Sequence, residues 1–232
     1  MEAILFDWDG TLADTLGAIY RANVEVMAAL KLPFSPAIYR RSFAPDWRIM
    51  YDRLGVPADR LEEANERWWA ALDESDTELF PGVDEMLRRL VANGSRLGIV
   101  TAGRSDRVGA ELRRHGIESL FGAVVYGDDL VSQKPDPEPL RLALDALGVA
   151  DRAAEATYVG DTPDDMRMAV AAKVRAVGIE SVLGDAEELR AAGATEVAPT
   201  TVDWVARWLP PEAAPAGPPG SGASVTTDAG PG

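Results

Sequence analysis

The chain predicts an α/β fold: a doubly wound parallel sheet whose first crossover is expanded into a small α-helical insert. Three observations predict it. Short apolar runs rich in branched residues recur along the chain, as buried parallel strands require. Helical patterns separate them, the alternation that builds a doubly wound sheet. One interval, Thr15 to Leu79, carries helical periodicity without a convincing strand and is too long for a single crossover. A chain of 232 residues, 47% hydrophobic and 26% charged, has room for one such core plus a small second domain.

The first run, Ala3-Ile4-Leu5-Phe6, is a strand. The insert follows, with Leu16, Ile19, Val26 and Leu30 at helical spacing, and the chain leaves it near Phe80-Pro81-Gly82. Its place after the first strand sets it as a cap above the strand ends, where open α/β sheets bind ligands. Trp47, Trp68 and Trp69 lie in it and are expected to hold its small core together. Arg40, Arg41, Arg48 and Arg53 form a solvated face or read a substrate carboxylate.

Val83, Met86, Leu87, Leu90 and Val91 then stripe a helix that ends before Asn93-Gly94. Leu97–Val100 and Ala123–Tyr126 are the next two strands, and Leu140, Leu144 and Leu147 stripe a helix that stops at Gly148. Thr157–Val159 and Val174–Val177 complete five parallel strands. The stretch 210–232 holds six Pro and five Gly among 23 residues and is expected to be a disordered tail. The division is therefore 1–14 and 80–209 for the core and 15–79 for the cap.

Composition removes whole classes of chemistry. With no Cys and one His, disulfides, thiolate sites and multi-histidine metal sites are excluded, and His115, before Gly116, suits a helix C-terminus. A net charge of −15, from 23 basic and 38 acidic side chains, argues against nucleic-acid and anionic-membrane partners. No window approaches a bilayer span and no cleavable leader is seen, so a cytoplasmic protein, monomer or homodimer, is expected. Only three Lys stand against 20 Arg, which singles out Lys134.

Candidate chemistry collects at strand ends. Asp7 and Asp9, two apart in extended chain, share a face before Gly10-Thr11. Turn chemistry alone accounts equally well for an isolated Asp-x-Asp-Gly. After the fourth strand comes Gly160-Asp161-Thr162-Pro163-Asp164-Asp165, in which Thr162 and Pro163 suit helix positions N-cap and N1. That capping role covers Asp164 and Asp165 but leaves Asp161 unexplained. Three carboxylates, Asp7, Asp9 and Asp161, at one sheet edge repel unless a hard cation joins them, which predicts Mg²⁺. Thr101, Ala102 and Gly103 offer a hydroxyl and backbone N–H groups to a phosphate, and Pro135 keeps Lys134 extended.

Asp7-Trp8-Asp9-Gly10-Thr11-Leu12-Ala13-Asp14-Thr15, Thr101, Lys134-Pro135 and Gly160–Asp165 together resemble the four ordered motifs of the haloacid dehalogenase-like hydrolase superfamily. The resemblance is to its phosphoglycolate phosphatase-like branch and runs from Phe80 to about Gly178, with the cap similar only in length and helical character. It implies a Rossmann-like core and a phosphatase acting on a small-molecule phosphate ester, phosphoglycolate-like or a sugar phosphate. It implies Asp7 as the nucleophile that forms an aspartyl-phosphate, Asp9 as acid and base, and Lys134 with Thr101 and Ala102 as phosphate contacts. It further implies Asp7, Asp161 and the Asp9 carbonyl as Mg²⁺ ligands, Asp165 as an orienter, and Asp14 at the cap hinge.

Three features depart from the family pattern: Ala102 where relatives carry Asn, Lys173 in place of a Gly at a helix exit, and the tail. Lys173 therefore predicts a changed helix exit or mild strain. Two other readings stand beside the phosphatase. A β-phosphoglucomutase-type enzyme would carry a His at the position of Ile19, and a non-catalytic receiver-like module would lack the insert.

Overall fold

The computed structural model describes residues 2–73, 77–129 and 131–209. A six-stranded sheet forms the core, in the order β3-β2-β1-β4-β5-β6 with every neighbouring pair parallel. Its strands are β1 (Ala3–Phe6), β2 (Arg96–Val100), β3 (Phe121–Val125), β4 (Thr157–Gly160), β5 (Arg175–Ile179) and β6 (Glu196–Ala198). This is a Rossmann-like α/β architecture. Strand order reverses at β1, so the loops after β1 and β4 open side by side, and a crevice at that switch point is the expected ligand site.

The strands are buried on both sides because period-two alternation feeds two separate cores. Ile4 and Phe6 pack with Leu87, Leu90, Val108, Leu112 and Trp204, contributed by α5 (Val83–Ala92), α6 (Ser105–Arg114) and α10 (Thr201–Ala206). Ala3 and Leu5 face the other way, onto Leu140, Leu144, Met166 and Leu189 of α7 (Glu138–Ala146), α8 (Pro163–Ala171) and α9 (Ala186–Ala191). The striped helices fall where their periodicity places them, α5 ending at the Asn93-Gly94 turn and α7 before Gly148.

Between β1 and α5 the described residues form four α-helices, α1 (Leu16–Leu30), α2 (Pro36–Ser42), α3 (Trp47–Arg53) and α4 (Leu61–Asp73), with a short 3-10 turn at Ala58–Arg60. They enclose a third cluster around Val26, Met27, Tyr39, Met50, Tyr51 and Leu54. The entering and leaving chains run antiparallel, with Asp14 N–H donating to the Glu78 carbonyl at 2.8 Å and Phe80 N–H to that of Leu12 at 3.0 Å.

The strand count and two sets of strand bounds are corrected here, while the mild strain expected at Lys173 is found. The sheet has six strands, because β6 is a three-residue edge strand, too short to register as an apolar run. Strands β3 and β5 are also displaced by one or two residues from the expected bounds. Lys173, which follows α8, adopts φ 61°, so the exit keeps the left-handed geometry a Gly would take and Lys carries the strain. The expected tail, 210–232, lies outside the described residues.

Candidate active site

The chain leaves β1 through a tight turn in which the Trp8 carbonyl accepts from the N–H groups of Thr11, Leu12 and Ala13 at 3.3, 3.0 and 3.0 Å. The Trp8 side chain is fully buried in the core, and its Nε1–H donates to Glu111 Oε2 at 2.6 Å. Pinning Trp8 inward leaves Asp7 and Asp9 on the opposite side. Gly10 closes the turn at φ 78°, and a Cβ there would stand 2.6 Å from Asp161 Oδ2, so the close approach of the β1 and β4 loops requires Gly.

Lys134 joins two carboxylates. Its Nζ lies 2.7 Å from Asp7 Oδ1 and 2.7 Å from Asp165 Oδ1, all three groups buried. Asp165 is also the N3 residue of a capping box on α8, its Oδ2 accepting from Thr162 N–H at 3.0 Å and Thr162 Oγ1 at 2.7 Å. Tyr158 Oη donates to Asp165 Oδ1 at 3.1 Å, so both oxygens are engaged. Asp161 is the opposite case. It is completely buried, yet neither carboxylate oxygen accepts a hydrogen bond. One oxygen from each of Asp7, Asp161 and Asp165 falls within 4.8 Å of the others.

The electrostatics follow. Burial pushes the Asp7 carboxyl up to about 7; Lys134 pulls it back, while Asp165 and Asp9 push with burial. Asp161 is driven well above the carboxylate range by burial and then by Asp7 and Asp165. For Lys134, burial acts against the ammonium, but Asp165 and Asp7 outweigh it and hold the group charged.

Asp9 is held differently. Arg107 grips it with both ends, Nη1 at 2.9 Å from Oδ1 and Nη2 at 2.6 Å from Oδ2. Burial alone would raise the Asp9 carboxyl, but Arg107 overrides it and keeps the group below its ordinary range. Glu111 anchors Arg107 in turn, at 3.4 Å, while accepting from Trp8 and from Thr77 Oγ1 at 2.7 Å. Arg107 was not legible as a site residue. With Glu111 four positions on, it reads as an ordinary surface pair on an amphipathic helix.

Thr101 is buried at the end of β2, its Oγ1 accepting from Gly103 N–H at 3.0 Å. Ala102 and Gly103, rather than Thr101, line the cavity that opens here, together with Asp7, Asp9, Lys134, Asp161 and Asp165. The cavity holds about 520 Å³ and is roofed by the helical insert. From the insert come Tyr39 and the three tryptophans, Trp47, Trp68 and Trp69. The expectation that these tryptophans only hold the insert together is corrected. Trp47 and Trp68 do pack on its core, but all three also face the cavity.

Tyr39, from α2, was missed by sequence reasoning because its place depends on how the insert folds. Its hydroxyl is buried without a hydrogen-bond partner, its pKa is raised by burial and then by Asp161 and Asp9, and it lines the same cavity as these carboxylates. Of the four insert arginines only Arg48 lines the cavity. Arg40 instead reaches Asp185 at 3.0 Å and Glu188 at 2.5 Å on α9 and its N-cap, and Arg53 donates to the Phe43 carbonyl at 2.9 Å. His115 sits at the C-cap of α6 and does not line the cavity.

A family model for haloacid dehalogenase-like hydrolases matches residues 4–179, three quarters of the chain, a span that includes Asp7, Asp9, Thr101, Lys134, Asp161 and Asp165. The chain belongs to the haloacid dehalogenase-like hydrolases. Within them it falls in the phosphoglycolate phosphatase-like branch, and it is a phosphatase. The phosphoglycolate phosphatase of Yersinia pestis is 31% identical over 189 residues, covering 77% of this chain and 81% of that one. Pyrophosphatase PpaX of Bacillus velezensis is 33% identical over 197 residues, covering 82% and 88%. Among solved structures, a haloacid dehalogenase-like hydrolase from Bacteroides fragilis superposes with a TM-score of 0.80 at 29% identity, covering 87% of this hydrolase and 98% of that chain. Among the described residues, no helix of this hydrolase is long and apolar enough to cross a membrane.

Proposed function

We propose that this hydrolase cleaves a small organic phosphate monoester in a Mg²⁺-dependent reaction through an aspartyl-phosphate on Asp7. The observation that carries this is Asp161: two buried carboxylate oxygens without a partner, beside a second buried carboxylate that a lysine already touches. Leaving such a group unsatisfied costs several kcal/mol unless it is protonated or a cation joins it. An all-oxygen donor set with room for water suits Mg²⁺. Asp7 and Asp161, with the Asp9 main-chain carbonyl, would hold the ion, and when bound it would offset the repulsion between these carboxylates and a phosphate dianion.

The protein's own groups supply the rest. Lys134 holds Asp7 Oδ1, leaving Oδ2 to attack phosphorus as the bond to the ester oxygen breaks. That oxygen takes its proton from Asp9. Arg107 favours the ionised form of Asp9, and an arriving phosphate dianion favours the protonated one, so the substrate's own charge loads the acid. The alcohol leaves, and Asp9, now ionised, takes a proton from water as its oxygen attacks the phosphorus of the aspartyl-phosphate. Inorganic phosphate departs and Asp7 is restored. Lys134 and the N–H of Ala102 would receive phosphate oxygens, with Thr101 holding the Gly103 N–H of that turn and Asp165 orienting Lys134. The insert acts as a cap that excludes water from the first step.

The names of the relatives, phosphoglycolate phosphatase and pyrophosphatase, support small phosphate compounds as the substrate class. Ile19 lines the cavity where a mutase of the β-phosphoglucomutase type would present a His, which supports hydrolysis over transfer. Phosphate release from a panel of monoesters and pyrophosphate, with Mg²⁺ and with EDTA, tests the proposal. Release should require Mg²⁺ and should fall at least about 1000-fold in Asp7→Asn. Metal-independent release, or turnover by a folded Asp7→Asn, would overturn it.

A further inference from the structure

We infer that the ester group this site accepts is built around a planar aromatic ring, which the insert binds on its tryptophan-lined wall. The inference rests on the phosphatase reading and adds the class of leaving alcohol. Three features carry it. The first is size: about 520 Å³ falls in the range of about 300–1,000 Å³ that encloses drug-sized ligands, far more than a phosphoryl group and a two-carbon acid need.

The second is the lining. Tyr39, Phe43, Trp47, Tyr51, Trp68 and Trp69 all face this space, and α4 sets Trp68 and Trp69 edge to face at 4.8 Å. Core packing of the insert accounts for Tyr39 and Tyr51, but Trp47 and Trp68 stay half-buried where they pack on it, and Trp69, also half-buried, is no part of that cluster. Two are already used as stacking surfaces, the Arg48 guanidinium lying 4.5 Å over Trp47 and that of Arg104 4.8 Å over Trp69. A flat ring makes the same kind of contact.

The third is an unmet hydrogen bond. Trp68 lines this wall and its Nε1–H is buried without an acceptor, a need that a ring nitrogen or exocyclic oxygen would meet once the indole turns toward the cavity. A short carboxylate-bearing alcohol has less to gain. Lys134 is engaged with Asp7 and Asp165, Arg107 with Asp9 and Glu111, and Arg104 with Asp106, and Arg48, the insert arginine that does line the cavity, is stacked on Trp47, while Arg40, Arg41 and Arg53 do not line it.

The test compares primary-alcohol esters, so that acidity of the leaving group is held nearly constant. Benzyl phosphate, pyridoxal 5′-phosphate and adenosine 5′-monophosphate form the ring-bearing arm and distinguish a bare ring, a cofactor and a nucleotide. Glycerol 3-phosphate and phosphoglycolate form the other. At least one ring-bearing ester should exceed both in kcat/KM by ten-fold or more. Trp69→Ala should lower that ester's kcat/KM about ten-fold, with Trp69→Phe restoring most of it, and should change glycerol 3-phosphate far less. Preference for phosphoglycolate or glycerol 3-phosphate, or an equal loss for both arms in Trp69→Ala, would overturn the inference and leave the phosphatase reading intact. Calorimetric titration of Asp7→Asn with the same esters separates the two claims. Tight binding of a ring-bearing ester with no release by the wild type would sink the hydrolysis and keep the ring site. Absence of any ring preference in binding would sink the ring site.

Discussion

Without divalent metal, this hydrolase should lose stability as pH rises through neutrality, and Mg²⁺ should restore it most strongly on the alkaline side. Asp7 is raised from 3.8 to about 7 by burial, against the pull of Lys134, and Asp161 is raised in the same sense by burial and by Asp7 and Asp165. A carboxyl raised by folding holds its proton more tightly folded than unfolded. Its stabilising contribution is complete below the unfolded value and is lost as pH climbs through the folded one. For Asp7 the whole change, from 3.8 to about 7, corresponds to about 4 kcal/mol. About 3 kcal/mol of that falls between pH 5 and pH 8, on the order of 8 °C in melting temperature for a chain of this length. Asp9 is lowered, so its contribution is already complete above its ordinary value and stays constant across this window. Scanning calorimetry in EDTA and in saturating Mg²⁺, from pH 5 to 8, measures both effects. Mg²⁺ binds ionised carboxylates and competes with their protons, so its shift should be larger at pH 8 than at pH 5. Asp161→Asn separates this cluster from the general acidity of the chain: its EDTA curve should be flatter, its pH 8 melting temperature higher, and its response to Mg²⁺ small. A metal-free melting temperature that is level or rises between pH 5 and 8, or a Mg²⁺ shift equal at both ends, would refute the reasoning.

Lys134→Ala leaves Asp7 and Asp165 buried without their cation and should cost about 3–5 kcal/mol by thermal or urea denaturation, together with a large loss of kcat/KM. Gly10→Ala forces a Cβ to 2.6 Å from Asp161 Oδ2 at φ 78°, so it should destabilise by more than about 1 kcal/mol and weaken Mg²⁺ affinity in a direct titration. Lys173→Gly relieves the left-handed strain at φ 61° and should raise the melting temperature by a few °C with kcat unchanged, as Lys173 lies on the far end of α8 from the site.

What was legible in the sequence is what is local. Asp7, Asp9, Lys134 and Asp161 each follow a strand within three residues or stand beside a Pro that fixes them, so a parallel sheet brings them to one edge. The same locality made α5 and α7 readable from their stripes. Residues whose role depends on packing were not readable. Arg107 reaches Asp9 across 98 positions, and nothing in the spacing of Arg107 and Glu111 distinguishes a buried clamp from a solvated pair. Tyr39 and the tryptophans of α3 and α4 reach the cavity only through the arrangement of four helices, which periodicity does not encode. β6 was invisible for a simpler reason, since three residues at a sheet edge leave no pattern to count.

Asp165 shows that a capping explanation and a catalytic one are not competitors. The Thr162 side chain accepts from Asp165 N–H at 3.2 Å, and Asp165 Oδ2 answers Thr162 N–H at 3.0 Å, which is enough to start α8. The same box fixes the carboxylate in rotation, and its other oxygen then holds Lys134 at 2.7 Å. Lys134 in turn fixes one oxygen of Asp7. A Cβ at residue 160 would stand 2.5 Å from Asp165 Cγ, so Gly160 is what lets β4 pass close enough for the box to form. Gly160, the cap of α8, Lys134 and Asp7 are thus one chain of contacts. Asp161 is the one acidic side chain in the cluster that this chain of contacts leaves unsatisfied, and that is where the geometry leaves room for a cation.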